Sequence, residues 1–165
     1  MADLNSIAID AAANAVLEAC RRRGWKVATA ESCTGGLVAG ALTEIAGSSD
    51  VVDRGFVTYS NDAKNEMLGV PLDLIGRVGA VSAEVARAMA EGAVARSRAD
   101  IAVSITGIAG PGGATATKPV GLVHFGVARR GGETIDQRHL LPGDRAAVRR
   151  RSVAIALQLL VEATR

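Results

Sequence analysis

Apolar positions along the chain alternate between helical stripes and short continuous runs, with glycine-rich breaks between them. Ile7, Ala11, Val16 and Leu17 keep helical spacing and stop at Gly24, after three arginines suited to a helix C-terminus. Residues 26–30 read as a short buried strand that runs into Glu31-Ser32-Cys33-Thr34-Gly35-Gly36, and a helix is predicted over 37–45. Residues 56–60 form a second predicted strand, with Asn61 or Asp62 placed to cap a helix carrying Lys64, Met67 and Leu68. Ser82 is predicted to cap a long alanine-rich helix with Glu84 in its first turn. Residues 101–105 make a third strand opening into Thr106-Gly107-Ile108-Ala109-Gly110-Pro111-Gly112-Gly113. Residues 120–129 and 133–141 flank Gly131-Gly132 and predict a β-hairpin with a type I′ or II′ turn. Asp144 caps a terminal helix whose Val148, Ile155, Leu159 and Leu160 keep the helical period.

Strands alternating with helices predict an α/β fold: one domain over residues 1–165, with helices on both faces of the sheet. The late antiparallel hairpin makes that sheet mixed. Ligands of such sheets bind where loops leave the carboxyl ends of strands, and both glycine-rich loops leave strand ends.

Composition narrows the class. With 48% hydrophobic and 22% charged residues, the 165-residue chain is too apolar for a disordered tail. No apolar run approaches the ~18 residues of a membrane span, and MADLNSIAID has neither a basic start nor a signal-type stretch. A soluble, cytoplasmic protein is the expectation. A net charge of +2 calls for no nucleic-acid or membrane partner. Cys20 and Cys33 are too few for a disulfide scaffold and are not spaced as a C-x-x-C pair. The only aromatic residues are Trp25, Phe56, Tyr59 and Phe125, which implies a core of small aliphatic side chains.

Ser32 is the first candidate for chemistry. It lies in a strand-to-helix turn whose backbone N–H groups suit an anion or a developing oxyanion. Ala30 and Thr34 replace the glycines of a G-x-S-x-G elbow, and Ser32 and Thr34 could equally serve only to cap the next helix. Lys64 is the second. A lysine activates a serine only when uncharged, so its pKa must fall from about 10.4 toward 7, roughly 4 kcal/mol of differential stabilisation. A solvated helix lysine is the competing reading. Tyr59, at a strand end, could bond a polar neighbour, stack on a ligand ring, or close the core edge. The second glycine-rich loop matches neither the ATP nor the dinucleotide fingerprint and is either a close approach to a ligand or a plain turn. Arg145, a cation in the first turn of the last helix, opposes the helix dipole and suggests a phosphate or carboxylate partner. Arg149, Arg150 and Arg151 fan around that helix and read as a solvated face or subunit contact. Cys33 reads as a buried structural thiol. His124 and His139 lack ligand spacing, so no metal site is expected.

Several of these segments occur together in one order. Ala30-Glu31-Ser32-Cys33-Thr34-Gly35-Gly36, Tyr59-Ser60-Asn61 with Lys64, Gly79-Ala80-Val81-Ser82, Thr106-Gly107-Ile108-Ala109-Gly110-Pro111, Lys118-Pro119-Val120-Gly121 and Gly143-Asp144-Arg145 resemble the CinA C-terminal-domain family. The resemblance runs from about Val27 to the terminal helix. It implies hydrolysis of the carboxamide of nicotinamide mononucleotide (NMN) to nicotinic acid mononucleotide and ammonia, as in stand-alone members. It further implies Ser32 as nucleophile and Lys64 as its base, with Tyr59 and Thr106 near the reacting centre. Thr34, Gly35, Gly36, Asn61, Gly107, Gly110 and Arg145 are then expected to bind substrate, without a metal or cofactor, in a homo-oligomer. Longer family proteins add an N-terminal domain resembling molybdopterin-binding folds, and its chemistry is expected to be absent here. Thr117 stands where many relatives carry an acidic residue before Lys-Pro-Val-Gly. Two other classes remain open: a non-catalytic nucleotide- or phosphate-binding module, and a DNA-associated factor suggested by the family's link to competence and damage induction. The charge balance and shortage of stacking aromatics weigh against the last.

Overall fold

The computed structural model describes residues 4–165, with side chains from residue 8 onward. The readings of residues 1–3 and of the Ile7 side chain lie outside the described residues. The helices are α1 (Leu4–Arg23), α2 (Leu37–Thr43), α3 (Asn61–Leu68), α4 (Leu72–Val78), α5 (Ala83–Ala95) and α6 (Arg145–Ala163). The strands are β1 (Val27–Glu31), β2 (Val52–Val57), β3 (Ile101–Gly107), β4 (Leu122–Arg129) and β5 (Ile135–Leu140). They form one sheet in the order β2-β1-β3-β4-β5. The first three run parallel and the last two pair antiparallel, which is the mixed sheet expected.

The two sheet faces differ chemically, as the period-two alternation of strands requires. Val27, Ile101, Val103, Ile105, Val123, Phe125 and Val127 pack under α1, α2 and α6. Ala28, Ala30, Ala102 and Ala128 face α5, where Val85, Met89, Ala90 and Ala93 are buried. Small side chains on that face let α5 approach closely: a Cβ on Gly126 would stand 2.4 Å from the Ala86 carbonyl oxygen. Ser104 Oγ also donates to that carbonyl, fixing the helix against β3. Such contact brings the N-terminus of α5 beside the carboxyl end of β3.

Several elements depart from the sequence reading. β2 begins and ends earlier than expected, at Val52 and Val57, and it is a sheet-edge strand. Its mixed exposure through Asp53, Arg54 and Gly55 hides the period. α4 was not expected; seven residues holding Gly76 give little periodic signal. Ser60, rather than Asn61 or Asp62, caps α3, its Oγ accepting from the Ala63 N–H at 3.0 Å. On α1, Ala11 is exposed, and the buried stripe is Ala13, Val16, Leu17 and Cys20. The hairpin turn is also different: Gly132 N–H donates to the Arg129 carbonyl, and only Gly131 of the two glycines has positive φ. The turn therefore centres on Arg130-Gly131, not on a primed Gly-Gly pair.

Candidate active site

β1 ends at Glu31, and the chain turns at the carboxyl end of the parallel strands. Ser32 N–H donates to the Ile105 carbonyl at 2.9 Å, which ties the turn to β3. The Glu31 side chain is wholly buried and folds over the turn, where its carboxylate accepts from Val38 N–H at 2.9 Å and Ala39 N–H at 3.1 Å. The first turn of α2 thus already holds an anion, and that anion belongs to the protein. Sequence reasoning missed this role. The signal was present as the one charged residue ending an otherwise uncharged buried strand.

α3 delivers the second group. It is capped by Ser60 at its start and closed at Gly69, whose φ of 69° is the left-handed conformation favouring glycine. Lys64 and Leu68, one turn apart, share the inward face; Lys64 is 1% exposed. Lys64 Nζ lies 3.0 Å from Ser32 Oγ and donates to the Thr58 carbonyl at 2.9 Å. Among the described residues no acidic side chain is bonded to Nζ. Burial therefore pushes the Lys64 pKa below its ordinary value. The solvated-lysine reading is overturned by this placement.

A cavity of about 270 Å³ opens in front of the pair. The structure brings Ser32, Tyr59, Asn61, Lys64, Thr106, Gly107, Gly110 and Arg145 onto its walls. Cys33, Ala80, Val81, Ile108, Gly112 and Gly113 also line it. Thr106 Oγ1 donates to the Ala80 carbonyl at 2.8 Å, joining the end of β3 to the segment before α5. Tyr59 is 63% exposed at the mouth, and its hydroxyl accepts from Arg145 Nη2 at 3.1 Å. Arg145 Nη1 donates to the Gly110 carbonyl at 2.9 Å.

Three expected binding residues stand apart from the cavity. Thr34, Gly35 and Gly36 do not line it; Gly35 N–H donates back to the Ser32 carbonyl, and Thr34 is fully buried. Arg149 is not part of a free arginine face, because Nε donates to the Cys33 carbonyl at 3.1 Å. Burial pushes the Cys33 thiol up to about 11, which keeps it protonated at neutral pH and agrees with a structural thiol. His124 is buried, and desolvation lowers its pKa, followed by the nearby Arg138 and Lys118 charges. Among the described residues no group of three His, Cys, Asp or Glu could hold a metal ion. Lys118 Nζ donates to the Val78 carbonyl at 2.7 Å, while Thr117 is exposed. Among the described residues no helix is long and apolar enough to cross a membrane.

Comparison with known proteins gives one consistent result. The family described as the CinA C-terminal domain matches residues 9–164. A nicotinamide-nucleotide amidohydrolase PncC of Escherichia coli is 54% identical over 143 residues, 87% of each chain. A CinA-like protein of Mycolicibacterium vanbaalenii is 58% identical over 137 residues, 83% of this chain and only 32% of that protein. The chain therefore spans about a third of the longer relative. The crystal structure of a competence/damage inducible protein from Agrobacterium tumefaciens superposes with a TM-score of 0.93 at 50% identity, covering 96% of both chains.

Proposed function

The chain belongs to the CinA C-terminal domain family, and from that premise we propose that it hydrolyses the carboxamide of NMN to nicotinic acid mononucleotide and ammonia. The observation that carries this reading is the 3.0 Å approach of a buried Lys64 Nζ to Ser32 Oγ. Uncharged Lys64 takes the hydroxyl proton as Ser32 Oγ attacks the carboxamide carbon. The proton passes to the departing nitrogen, the C–N bond breaks, and ammonia leaves an ester on Ser32. Water then attacks the ester with Lys64 again as base, and Ser32 recovers its proton as the acid product departs. The Ser32 N–H is already committed to Ile105 and the Ile108 N–H to Leu122, so the oxyanion falls to the remaining N–H groups of the loop, those of Ala109, Gly110, Gly112 and Gly113, each worth roughly 3 kcal/mol.

Charge order in the cavity fits this substrate. The pyridinium ring is cationic and would lie beside an amine whose pKa burial lowers. Among the described residues no Asp or Glu lines the cavity, and Arg145 at its mouth would meet the phosphate. Thr106 shapes the wall facing the ring, and Asn61 lies beside Tyr59. The reaction is proposed to be metal-independent and cytoplasmic, in a homo-oligomer that engages no nucleic acid.

The test is ammonia release from NMN by the purified protein, with and without EDTA, and by Ser32→Ala of confirmed fold. The reading expects release that survives EDTA and disappears in the variant. Turnover near wild type in Ser32→Ala rejects the serine mechanism. Saturable NMN binding with no product favours the binding module instead. Light scattering checks the assembly, cell fractionation checks the location, and salt-dependent DNA binding would revive the DNA-associated reading.

A further inference from the structure

The glycine-rich wall of the cavity has little burial to hold it in place. Residues 111–117 are all exposed, so few apolar contacts restrain them. The base of this excursion is closed by backbone bonds, Ile108 N–H to the Leu122 carbonyl at 2.9 Å and Gly121 N–H to the Ile108 carbonyl at 2.7 Å. Its far end closes on itself: Thr115 N–H donates to the Lys118 carbonyl at 2.9 Å, and Lys118 N–H to Thr115 Oγ1 at 3.1 Å. Between these two closures, Arg145 reaches in from α6 to the Gly110 carbonyl. Among the described residues, Lys118 is the one side chain of 108–121 that hydrogen-bonds outside the segment, its Nζ donating to the Val78 carbonyl at 2.7 Å.

That carbonyl ends α4, where the last helical carbonyls lack helix partners and a cationic donor is favoured. The next residue makes room for the amine. Gly79 has a φ of 82°, and a Cβ there would stand 2.7 Å from Lys118 Nζ. The chain then passes through Ala80 and Val81, which line the cavity, and the Ala80 carbonyl accepts from Thr106 Oγ1 at 2.8 Å. Lys118 therefore ties the loop to the same short segment that Thr106 ties to the end of β3.

We propose that Lys118 is a positioning residue for the hydrolysis, strapping the glycine-rich loop to the 78–81 segment so that its free amides stand ready for the oxyanion. The inference rests on the NMN reading and deepens it. Lys118 does not line the cavity and acts only through the loop. Donors held in place before charge develops favour the transition state over the bound substrate, so loosening them lowers kcat more than it raises KM.

Two measurements on Lys118→Met and Lys118→Arg test this. In ammonia release from NMN, Lys118→Met is expected to lower kcat ten- to a hundredfold while KM changes less than threefold. Lys118→Arg keeps a cationic donor and is expected to hold kcat within fivefold of wild type. In nitrogen-15 relaxation without ligand, the order parameters of residues 109–117 are expected to fall below about 0.6 in Lys118→Met and to stay in the rigid range in wild type and Lys118→Arg. Lys118→Gln, whose amide is too short to reach Val78, replaces Lys118→Met if that variant does not fold.

A kcat within threefold of wild type in Lys118→Met, an equal loss in Lys118→Arg, or a KM that rises as much as kcat falls each overturns the proposal. So does a loop whose order parameters are the same with and without the lysine. The ammonia assay on unmodified protein is independent of the relaxation measurement. Turnover by wild type with a loop indifferent to Lys118→Met removes the strap and leaves the functional reading standing. A loop ordered only by Lys118 in a protein that releases no ammonia from NMN does the reverse.

Discussion

The Glu31 carboxylate and the Val38 N–H meet at 2.9 Å across the turn that carries Ser32. A wholly buried charge without a cationic side-chain partner is costly unless hydrogen bonds replace its hydration. Here the amides of Val38 and Ala39 at the start of α2 do so, and they tie down the turn in which Ser32 is the next residue. Glu31→Gln keeps the shape but points an NH₂ group at a backbone donor. The expected cost is about 1–3 kcal/mol in urea unfolding with an unchanged slope. Turnover is expected to fall on the order of tenfold, because Ser32 loses its support.

Lys64 is expected to cost stability. Its folded pKa lies below its unfolded value, so at pH below both values the native state carries a buried charge and the cost is complete. As pH rises between the folded and unfolded values, the unfolded chain binds the extra proton and native stability increases. Above the unfolded value of about 10.4 the difference is gone. Lys64→Met should therefore raise Tm by a few degrees near neutral pH, less as pH approaches 10, and abolish ammonia release. Calorimetry across that pH range checks the sign. A lower Tm for the variant at neutral pH contradicts it.

Cys33 should be dispensable for chemistry despite lying beside Ser32. Its thiol, pushed to about 11 by burial, is a poor nucleophile at neutral pH. Cys33→Ala should retain at least a third of the wild-type kcat, with a stability loss of about 1 kcal/mol from the vacated volume. Iodoacetamide should leave Cys33 unmodified in the native protein, as read by peptide mass spectrometry.

The small-residue face under α5 gives a structural test. In Gly126→Ala the added methyl meets the Ala86 carbonyl at 2.4 Å and Ser104 Oγ at 2.7 Å, so α5 must shift. A loss of about 2–3 kcal/mol is expected, at the upper end for overpacking, because the obstruction is backbone. Denaturant midpoints measure it.

Much of this was readable from residue order, and the failures have physical causes. β1, β3, α5 and α6 announced themselves because each is buried on a continuous run or begins at a side-chain cap. β2 lies at the sheet edge and α4 is a seven-residue connection, so neither needed a strong pattern to form. The order of motifs pointed to Ser32 and Lys64, but a separation of 32 positions cannot tell whether two side chains touch; the β1–β2 pairing and the Ser60 cap bring them together. The turn at Thr34, Gly35 and Gly36 reads as an anion site, and nothing in the linear order reveals that the amides just beyond it, Val38 and Ala39, already hold Glu31. In the sequence Arg145 suggests a phosphate or carboxylate partner; its links to Tyr59 and Gly110, 86 and 35 positions away, are not visible there.

The chain has three lysines, Lys26, Lys64 and Lys118, which makes the protonation of Lys64 directly observable. With carbon-13 label at the lysine ε position, each resonance can be followed against pH, and Lys64→Met identifies the one that disappears. The account predicts that this resonance titrates well below the ordinary lysine value of about 10.4. A Lys64 midpoint at or above that value would mean an ammonium faces Ser32 at working pH, and the proposed base would not exist.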